Sequence, residues 1–452
     1  MNETNPLHYT KLEKYTNQYS CLFKVYRRAN KEKLLQYMEG LFHEGKHNIE
    51  RMNERIKTSS YHQLQHFISV SPWDHKEVLK VVSKDISELL EKREALTGLI
   101  IDESGHGKRG KKSVGVARQY LGSIGKIDNG QVAVYCALCQ EDDVAMVDTR
   151  LFLPESWTKD RKRCKKAGIP DKDQVYKTKP MLALDMIKDN HNRIAYDWVG
   201  GDSIYGNSIK LRKGLQALEQ LYVMDTSERL LVYLQDPKPY IPVSKQGRGR
   251  NKSSYISDKK SVSAKKLKTN LTADQWKTYT VRKGTKGPLI RKATVVEVYV
   301  WSATGVTTEY PEKLRLIISC NTDGTEVKYS LTNDISLAKQ EKLSDHDVLY
   351  RQMQRYWVER GFQDCKDSLG MTEYQVRGWR AWHHHMTLTI MALHYILEEK
   401  VSNENEIPLL SCPDIKFFLA QTLPKKATTS SEVWSLIQKR HQQRQKDLNR
   451  FN

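Results

Sequence analysis

Residues 99–113 read LIIDESGHGKRGKKS, an apolar run that ends in Asp102 and passes into a polar, basic loop. Consecutive apolar residues are typical of a buried strand, and the glycines that follow mark a turn. An aspartate that ends a buried strand lies where a sheet meets solvent, so Asp102 is a candidate site residue. The alternative is an aspartate that caps a helix.

Two further acids occupy similar positions. The run 194–199 predicts a strand, Asp202 follows it, and the chain turns shortly afterwards at Gly206. Glu359 lies in RYWVE, residues 355–359, with Lys366 seven residues later. On a helix that advances about 100° per residue, Arg355, Glu359 and Lys366 fall within about 60° of one another. One helix face would then carry a carboxylate between two cations; a solvated charged face is the alternative.

These three acids predict a chemistry. Two strand-end aspartates and a helical glutamate can converge on a pair of divalent ions, and paired ions drive in-line phosphoryl transfer. We therefore expect Asp102, Asp202 and Glu359 to be catalytic and metal-binding, with two Mg²⁺ ions and Mn²⁺ as a substitute. Phosphate and DNA binding is expected of seven cations: Arg355, Lys366, Lys108, Arg109, Lys111, Lys112 and Arg118.

The charge balance points to the same partner. The chain has 452 residues and carries 74 Lys and Arg against 54 Asp and Glu, a net charge of +20. Such an excess favours a polyanion through counterion release. We find no apolar span of 18 residues, no lipidation motif and no signal peptide, which favours nucleic acid over a membrane and predicts a cytoplasmic protein that associates with the nucleoid when bound.

Several other residues could suggest a metal, redox or DNA-binding site, and we do not include them in the predicted catalytic set. Cys136 and Cys139 form a lone CxxC in a predicted strand, where residues three apart point to opposite faces, so zinc and redox roles are disfavoured. Adjacent histidines at 383–385 point in different directions on a helix. His106 beside two glycines either touches DNA or has no role. Trp276 and Trp301 could stack on a base, but core packing is preferred.

Changes of hydrophobic period divide the chain into five segments. Within residues 1–95 the apolar positions recur about every 3.6 residues, which predicts helices. Ser71 before Pro72 predicts the N-terminus of one of them. Residues 96–229 begin with strands at 99–101, 131–138 and 148–153 and continue as helix and strand, which predicts a mixed α/β sheet. Three segments follow: a β-rich insertion at 230–335 with a basic loop at 244–268, a helical zone at 336–400, and a basic tail at 401–452 with a helix at 430–449.

The chain resembles DDE transposases of bacterial insertion sequences, specifically the insertion-sequence family numbered 701. The resemblance spans about residues 30–400. It is carried by residues 100–120 and 125–134 around the first aspartate, then by 150–157, 201–206, 359–366 and 374–383. The wider superfamily has Tyr-x2-Arg-x3-Glu-x6-Lys in its last block. Arg355, Glu359 and Lys366 match, while the tyrosine position holds Gln352, with Tyr350 and Tyr356 nearby.

This resemblance implies an RNase H-like core that holds Asp102, Asp202 and Glu359 as its metal-binding triad. It also implies a β-strand insertion between the second aspartate and the glutamate. The expected function is transposition: the helical N-terminal segment binds terminal inverted repeats, and the enzyme cleaves the ends and joins the 3′-hydroxyls to target DNA, as a homodimer on paired ends. A catalytically silent transposase-derived DNA-binding protein and an RNase H-like nuclease without strand transfer are the alternatives.

Overall fold

The computed structural model describes residues 9–26, 29–242, 254–284, 287–302 and 310–449. Its N-terminal segment consists of helices whose apolar faces are buried, as the recurrence of about 3.6 residues predicts. The longest has Val78, Val82 and Ile86 on its buried face. The five helices are α1 (Tyr9–Gln18), α2 (Lys31–Phe42), α3 (Ile49–Asn53), α4 (Tyr61–Ser69) and α5 (His75–Glu91).

The start of α5 differs from the sequence prediction. The helix begins at His75 and not near Ser71, because the Asp74 carboxylate accepts a hydrogen bond from the Lys76 amide at 2.8 Å and caps it. Ser71 is buried, and its hydroxyl accepts a hydrogen bond from Asn30 at 3.3 Å instead. The aspartate nearer the helix therefore takes the capping role.

The core sheet has the expected RNase H-like topology. Its spatial order is β4-β3-β1-β5-β6, in which β3 is antiparallel to β1 and β4 while β5 and β6 are parallel to β1. A short strand, β2, pairs with the first part of β3. The strands are β1 (Thr97–Gly107), β2 (Ala117–Leu121), β3 (Lys126–Gln140), β4 (Asp143–Leu151), β5 (Trp198–Gly201) and β6 (Tyr222–Asp225).

Five helices connect β4 to β6: α6 (Glu155–Thr158), α7 (Arg161–Lys166), α8 (Lys179–Asn190), α9 (Ser203–Gly206) and α10 (Ile209–Ala217). The strand expected at 194–199 begins only at Trp198. The residues before it are held outside the sheet, where the Ala195 amide donates to Ser87 Oγ at 2.8 Å. Cys136 and Cys139 are both buried in β3 as free thiols.

The β-rich insertion continues the core sheet. β12 pairs antiparallel with β6, and the order runs on as β12-β11-β10-β9. Part of the basic loop predicted at 244–268 lies outside the described residues. Its last part forms a strand and a helix, and Ser263 caps the helix. The elements are β7 (Leu231–Val232), β8 (Val262–Ser263), α11 (Ala264–Asn270), β9 (Lys277–Arg282), β10 (Leu289–Val300), β11 (Glu312–Cys320) and β12 (Lys328–Thr332).

Helices complete the chain: α12 (Asp345–Gln354), α13 (Tyr356–Asp367), α14 (Trp379–Ser402), α15 (Cys412–Thr422) and α16 (Ser430–Asn449). α14 is buried between β4 and the N-terminal helices. The histidines at 383–385 lie in this core, where the His384 ring stacks on Trp73 with centroids 3.6 Å apart. Within the described ranges, no helix is long and apolar enough to cross a bilayer.

Candidate active site

Three aspartates align at the carboxyl edge of the three parallel strands. Ile101 of β1 is paired with Gly201 of β5, so Asp102 and Asp202 each lie one residue beyond the paired positions. Gly201 is in turn aligned with Met224 of β6, so Asp225 occupies the equivalent position on the third strand. Neighbouring strands are about 4.8 Å apart. The sheet register therefore brings these carboxylates to one edge.

Glu103 belongs to the same acidic cluster. Its carboxylate, that of Asp102 and that of Asp202 offer ligand oxygens that lie within 4.8 Å of one another. Glu103 is held in place by the Lys179 ammonium at 2.7 Å and by the Tyr205 hydroxyl, which donates at 2.8 Å. Both contacts come from outside the strand, from α8 and α9, so the helices that follow β4 and β5 fix one wall of the site.

The backbone contributes to Asp102 and Asp202 in different ways. Asp202 caps the short helix α9, since its Oδ1 accepts from the Ile204 amide at 2.8 Å. The helix-cap interpretation is therefore correct for Asp202, but its carboxylate also belongs to the acidic cluster. Asp102 lies inside β1 and accepts the Glu103 amide at 2.8 Å, so it is not a helix cap.

The electrostatics of the cluster favour a bound cation. Burial, and then the charges of Asp202 and Glu103, raise the pKa of Asp102 to about 7, against the lowering effect of Arg355. Burial and then Glu103 also raise the pKa of Asp202. Both carboxylates therefore lack enough positive charge around them. Three convergent carboxylates are hard oxygen donors of the kind that Mg²⁺ and Mn²⁺ bind, so the residues present fit a divalent ion.

Arg355 occupies the space among the acids. Its guanidinium contacts Asp102 at 3.3 Å, Asp225 at 3.1 Å and Glu359 at 2.9 Å, one nitrogen to each carboxylate. These partners, after the opposing effect of burial, raise the pKa of the guanidinium further. Arg355 was expected to bind phosphate, and the structure places it beside the cluster, paired with carboxylates.

Glu359 lies across this arginine from Asp102. It is in the first turn of α13, and its side chain is 53% exposed, compared with 13% for Asp102. Lys366 lies in the last turn of the same helix; burial lowers its pKa, and the charge of Asp102 opposes that effect. The structure thus brings Asp102 and Asp202 together, with Glu359 and Lys366 at their border.

A cleft of about 590 Å³ opens beside the acids. Asp202, Asp225 and Arg355 line one side of it, and Lys328 and Tyr329 from the β insertion line another. Burial lowers the pKa of Lys328, while Asp225 opposes that change. The insertion therefore supplies a wall of the cleft as well as strands of the sheet.

Gln352, at the superfamily's tyrosine position, does not face this cleft. It is buried, accepts a hydrogen bond from Ser319 Oγ at 2.6 Å and donates one to Ser330 Oγ at 2.7 Å. Ser330 in turn donates to Asp225 at 2.6 Å. Gln352 thus links the helix to the edge of the sheet indirectly, through a chain of buried hydrogen bonds.

Five of the predicted phosphate-binding cations lie in or just after the loop that follows β1, and four of them are exposed. Arg109, Lys111 and Lys112 of the loop and Arg118 of β2 present their side chains to solvent. Lys108 instead folds back, donating to the Tyr374 carbonyl at 2.9 Å with its ammonium 3.5 Å from the centre of the Tyr374 ring, and burial lowers its pKa to about 8. The four exposed cations are thus available to a phosphate.

The other residues considered from the sequence lie outside the acidic cluster. His106 pairs through Nε2 with the Tyr374 hydroxyl at 2.8 Å, and burial lowers its pKa. Trp301 is buried, and Trp276 packs partly buried against the core. These are packing roles, as preferred for the two tryptophans.

Asp225 and Glu103 are the site residues that the sequence reasoning missed. The signal for Asp225 was present: Tyr222-Val223-Met224-Asp225 is an apolar run that ends in aspartate, the same pattern that singled out Asp102. Glu103 directly follows Asp102 in a strand, where neighbours normally point to opposite faces, so alternation argued against it.

Comparison with known proteins identifies a family for this chain. The family model for DDE superfamily endonucleases matches residues 19–288. Over 150 residues the chain is 39% identical to the probable transposase for insertion sequence element IS701 of Microchaete diplosiphon, a match that covers 32% of this chain and 35% of that protein. In the match, the chain thus spans about a third of the length of this curated relative.

The chain also aligns with a solved structure, the piggyBac transposase in a synaptic complex with hairpin DNA, determined by cryo-EM. The alignment covers 95% of this chain and 85% of that one, at 13% sequence identity and a TM-score of 0.34, which is too distant to add to the fold assignment. The family match covers more than half of the chain and confirms the resemblance seen in the sequence: the chain belongs to the DDE superfamily of endonucleases.

Proposed function

We propose that the protein is a transposase that cleaves the ends of a mobile DNA element and joins their 3′-hydroxyls to target DNA. The observation that supports this most is the register of β1 against β5, which sets Asp102 beside Asp202, and Asp202 lines an open cleft. The 39% identity to the IS701 transposase supports the same activity over the matched region.

Asp102 and Asp202, with Glu359, would hold two Mg²⁺ ions, and Glu103 is a further oxygen donor within reach. Such ions would activate the nucleophile, which is a water in cleavage and a 3′-hydroxyl in joining, and would stabilise the leaving oxygen of an in-line displacement. The same set of carboxylates can serve both cleavage and joining, since the two reactions differ only in the attacking hydroxyl.

Arg355 and Lys366 would hold the phosphates on either side of the scissile bond. In the structure the Arg355 guanidinium forms ion pairs with three carboxylates. Divalent ions that bind to the same carboxylates would free this guanidinium for a phosphate, which accepts two parallel N–H bonds from arginine. Arg355 would thereby couple metal binding to substrate binding.

The partners would be double-stranded terminal inverted repeats and a target duplex. We assign the binding of the repeats to the helical N-terminal segment and the basic surfaces. A homodimer would hold the two ends of the element together. The exposed loop cations and the +20 net charge support a polyanionic partner. The protein would act in the bacterial cytoplasm, at the nucleoid.

Strand joining distinguishes a transposase from a nuclease with the same core. The test incubates the protein with Mg²⁺, a supercoiled plasmid and a labelled duplex that ends at the inverted repeat with a free 3′-hydroxyl. We expect label covalently joined to the plasmid, and none from a matched duplex with a 3′-dideoxy end. Cleavage without joining would leave the nuclease, and binding without either reaction would leave the silent DNA-binding protein.

A further inference from the structure

A second basic surface lies beside the loop that follows β1. The six-residue helix α7 has the sequence RKRCKK, and no acid occurs from residue 161 to residue 170. The loop is equally free of acids, which are absent from residue 104 to residue 127. Two segments of the chain that are distant in sequence thus each present only positive charge.

Backbone contacts bind these segments into one surface. Arg163 of α7 donates to the Lys111 carbonyl at 2.9 Å. The segment before α14 joins both, because the Trp379 amide donates to the Ala167 carbonyl and the Val114 amide donates to the Arg377 carbonyl, each at 2.9 Å. The relative positions of the cations are therefore fixed by the fold.

A hollow of about 330 Å³ lies at the centre of this surface. Lys111, Lys112, Lys166 and Arg377 surround it, and we name these four residues the basic platform. Trp157 forms its floor, fixed by a hydrogen bond from Nε1 to the Val116 carbonyl at 2.8 Å, with the Arg163 guanidinium 3.7 Å from the ring centre. Arg163 thus supports the platform.

The four platform side chains are exposed, and within the part of the chain that the structure describes none forms an ion pair with a carboxylate. A charged helix face that is merely solvated would spread its cations along one helix. Here four cations from three segments surround one hollow. An anion with several charges that bound here would contact several of these cations at once and release the counterions around them.

β1 connects the acidic cluster to the loop that carries part of the platform. The strand continues from Asp102 to its end at Gly107, and these five residues span about 17 Å. Successive phosphates of one DNA strand are spaced about 3.4 Å along the helix axis. A duplex that is held at the acids and follows this strand would therefore reach the start of the loop about five base pairs from the scissile bond, with the platform beyond it.

We propose that the basic platform binds the phosphate backbone of duplex DNA beyond the end of β1 that is farther from the acidic cluster. The platform would so set the register of the DNA end in the cleft. This inference rests on the proposed function, because it assigns the platform to the same duplex. The contacts are to phosphates, so the platform positions the DNA without reading its sequence.

The test compares Lys166→Gln/Arg377→Gln with a charge-matched control, Lys213→Gln/Lys339→Gln, in the full-length protein. Lys213 and Lys339 are exposed on α10 and before α12, away from the platform. Binding is measured by fluorescence anisotropy over a range of salt, with a labelled duplex that carries the flanking inverted repeat and with a scrambled duplex of equal length.

Each lost phosphate contact lowers the slope of log K against log salt by about 0.9, so the platform variant should lose about 2 from the slope and bind about 100-fold more weakly at low salt. The loss should be equal on both duplexes, and the control should match wild type. If wild type binds and cleaves but the platform variant keeps the wild-type slope, the platform is refuted and the proposed function stands. If wild type does not bind duplex DNA at all, both fail together.

Discussion

Replacing Asp102 by asparagine should stabilise the metal-free protein while it abolishes catalysis. The folded protein raises the pKa of this carboxyl from 3.8 to about 7. A raised pKa means that the favourable contribution is complete below the unfolded-state pKa and is lost as the pH rises through about 7. Asparagine keeps the shape of the carboxyl group and carries no charge, so it removes this cost at every pH.

The magnitude follows from the two pKa values. Each pH unit between them is worth about 1.4 kcal/mol. The Asp102 carboxyl therefore costs the folded state about 4 kcal/mol at about pH 8, where it is ionised, and about 2 kcal/mol at about pH 5, where it must take up a proton on folding. The pKa of about 7 already includes the opposing effect of Arg355, so the gain on substitution should be about 4 kcal/mol at about pH 8 and about 2 kcal/mol at about pH 5.

The assay is thermal unfolding in excess EDTA at both pH values, with Asp274→Asn as the control. Asp274 is an exposed aspartate remote from the cluster, and its substitution should change stability by less than about 0.5 kcal/mol. An Asp102→Asn variant that is less stable than wild type at about pH 8 would refute this prediction. So would a gain in unfolding free energy that does not become smaller toward about pH 5.

Three further changes test neighbouring parts of the site. Because the pKa of Asp102 is about 7 and that of Asp202 is also raised, Mn²⁺ affinity measured by calorimetry should rise about tenfold per pH unit below about pH 7 and level off above it; a flat profile would contradict the shared cluster. Asp225→Asn should raise the Mg²⁺ concentration needed for cleavage about tenfold and leave DNA binding unchanged, because Arg355 would lose one carboxylate and compete more strongly for Asp102; an unchanged Mg²⁺ dependence would rule this out. Gly206→Ala should cost more than about 3 kcal/mol in urea unfolding, since the added carbon would lie 1.9 Å from the Asp225 carbonyl oxygen, whereas Gly122→Ala, which meets nothing within 4 Å, should be neutral.

The sequence predicted the parts of the fold that are encoded locally. The apolar run before Asp102 predicted its strand, and the helix predicted at 430–449 has the bounds Ser430–Asn449 in the structure. Local signals were misleading where two caps competed, as at Ser71 and Asp74, and where a hydrophobic run was held outside the sheet by a side chain, as at Ala195.

The site was predictable only in its largest parts. Asp102 and Asp202 could be found because each ends an apolar run, but their alignment depends on strand register, a long-range property. The same register recruits Asp225, which also ends an apolar run and could have been found by the pattern that identified Asp102. The place of Arg355 among three carboxylates likewise depends on how α13 packs against the sheet. The assembly of α7 with the distant basic loop is a tertiary contact of the same kind.

Cleavage of DNA at the flanking inverted repeats in Mg²⁺, compared between wild type and Asp102→Ala, decides whether this carboxylate takes part in the reaction. We expect site-specific cleavage by wild type that disappears in EDTA and in the variant, while the variant still binds the same duplex. Binding without cleavage by wild type, or cleavage that persists in Asp102→Ala, would contradict the assignment of this carboxylate to the reaction.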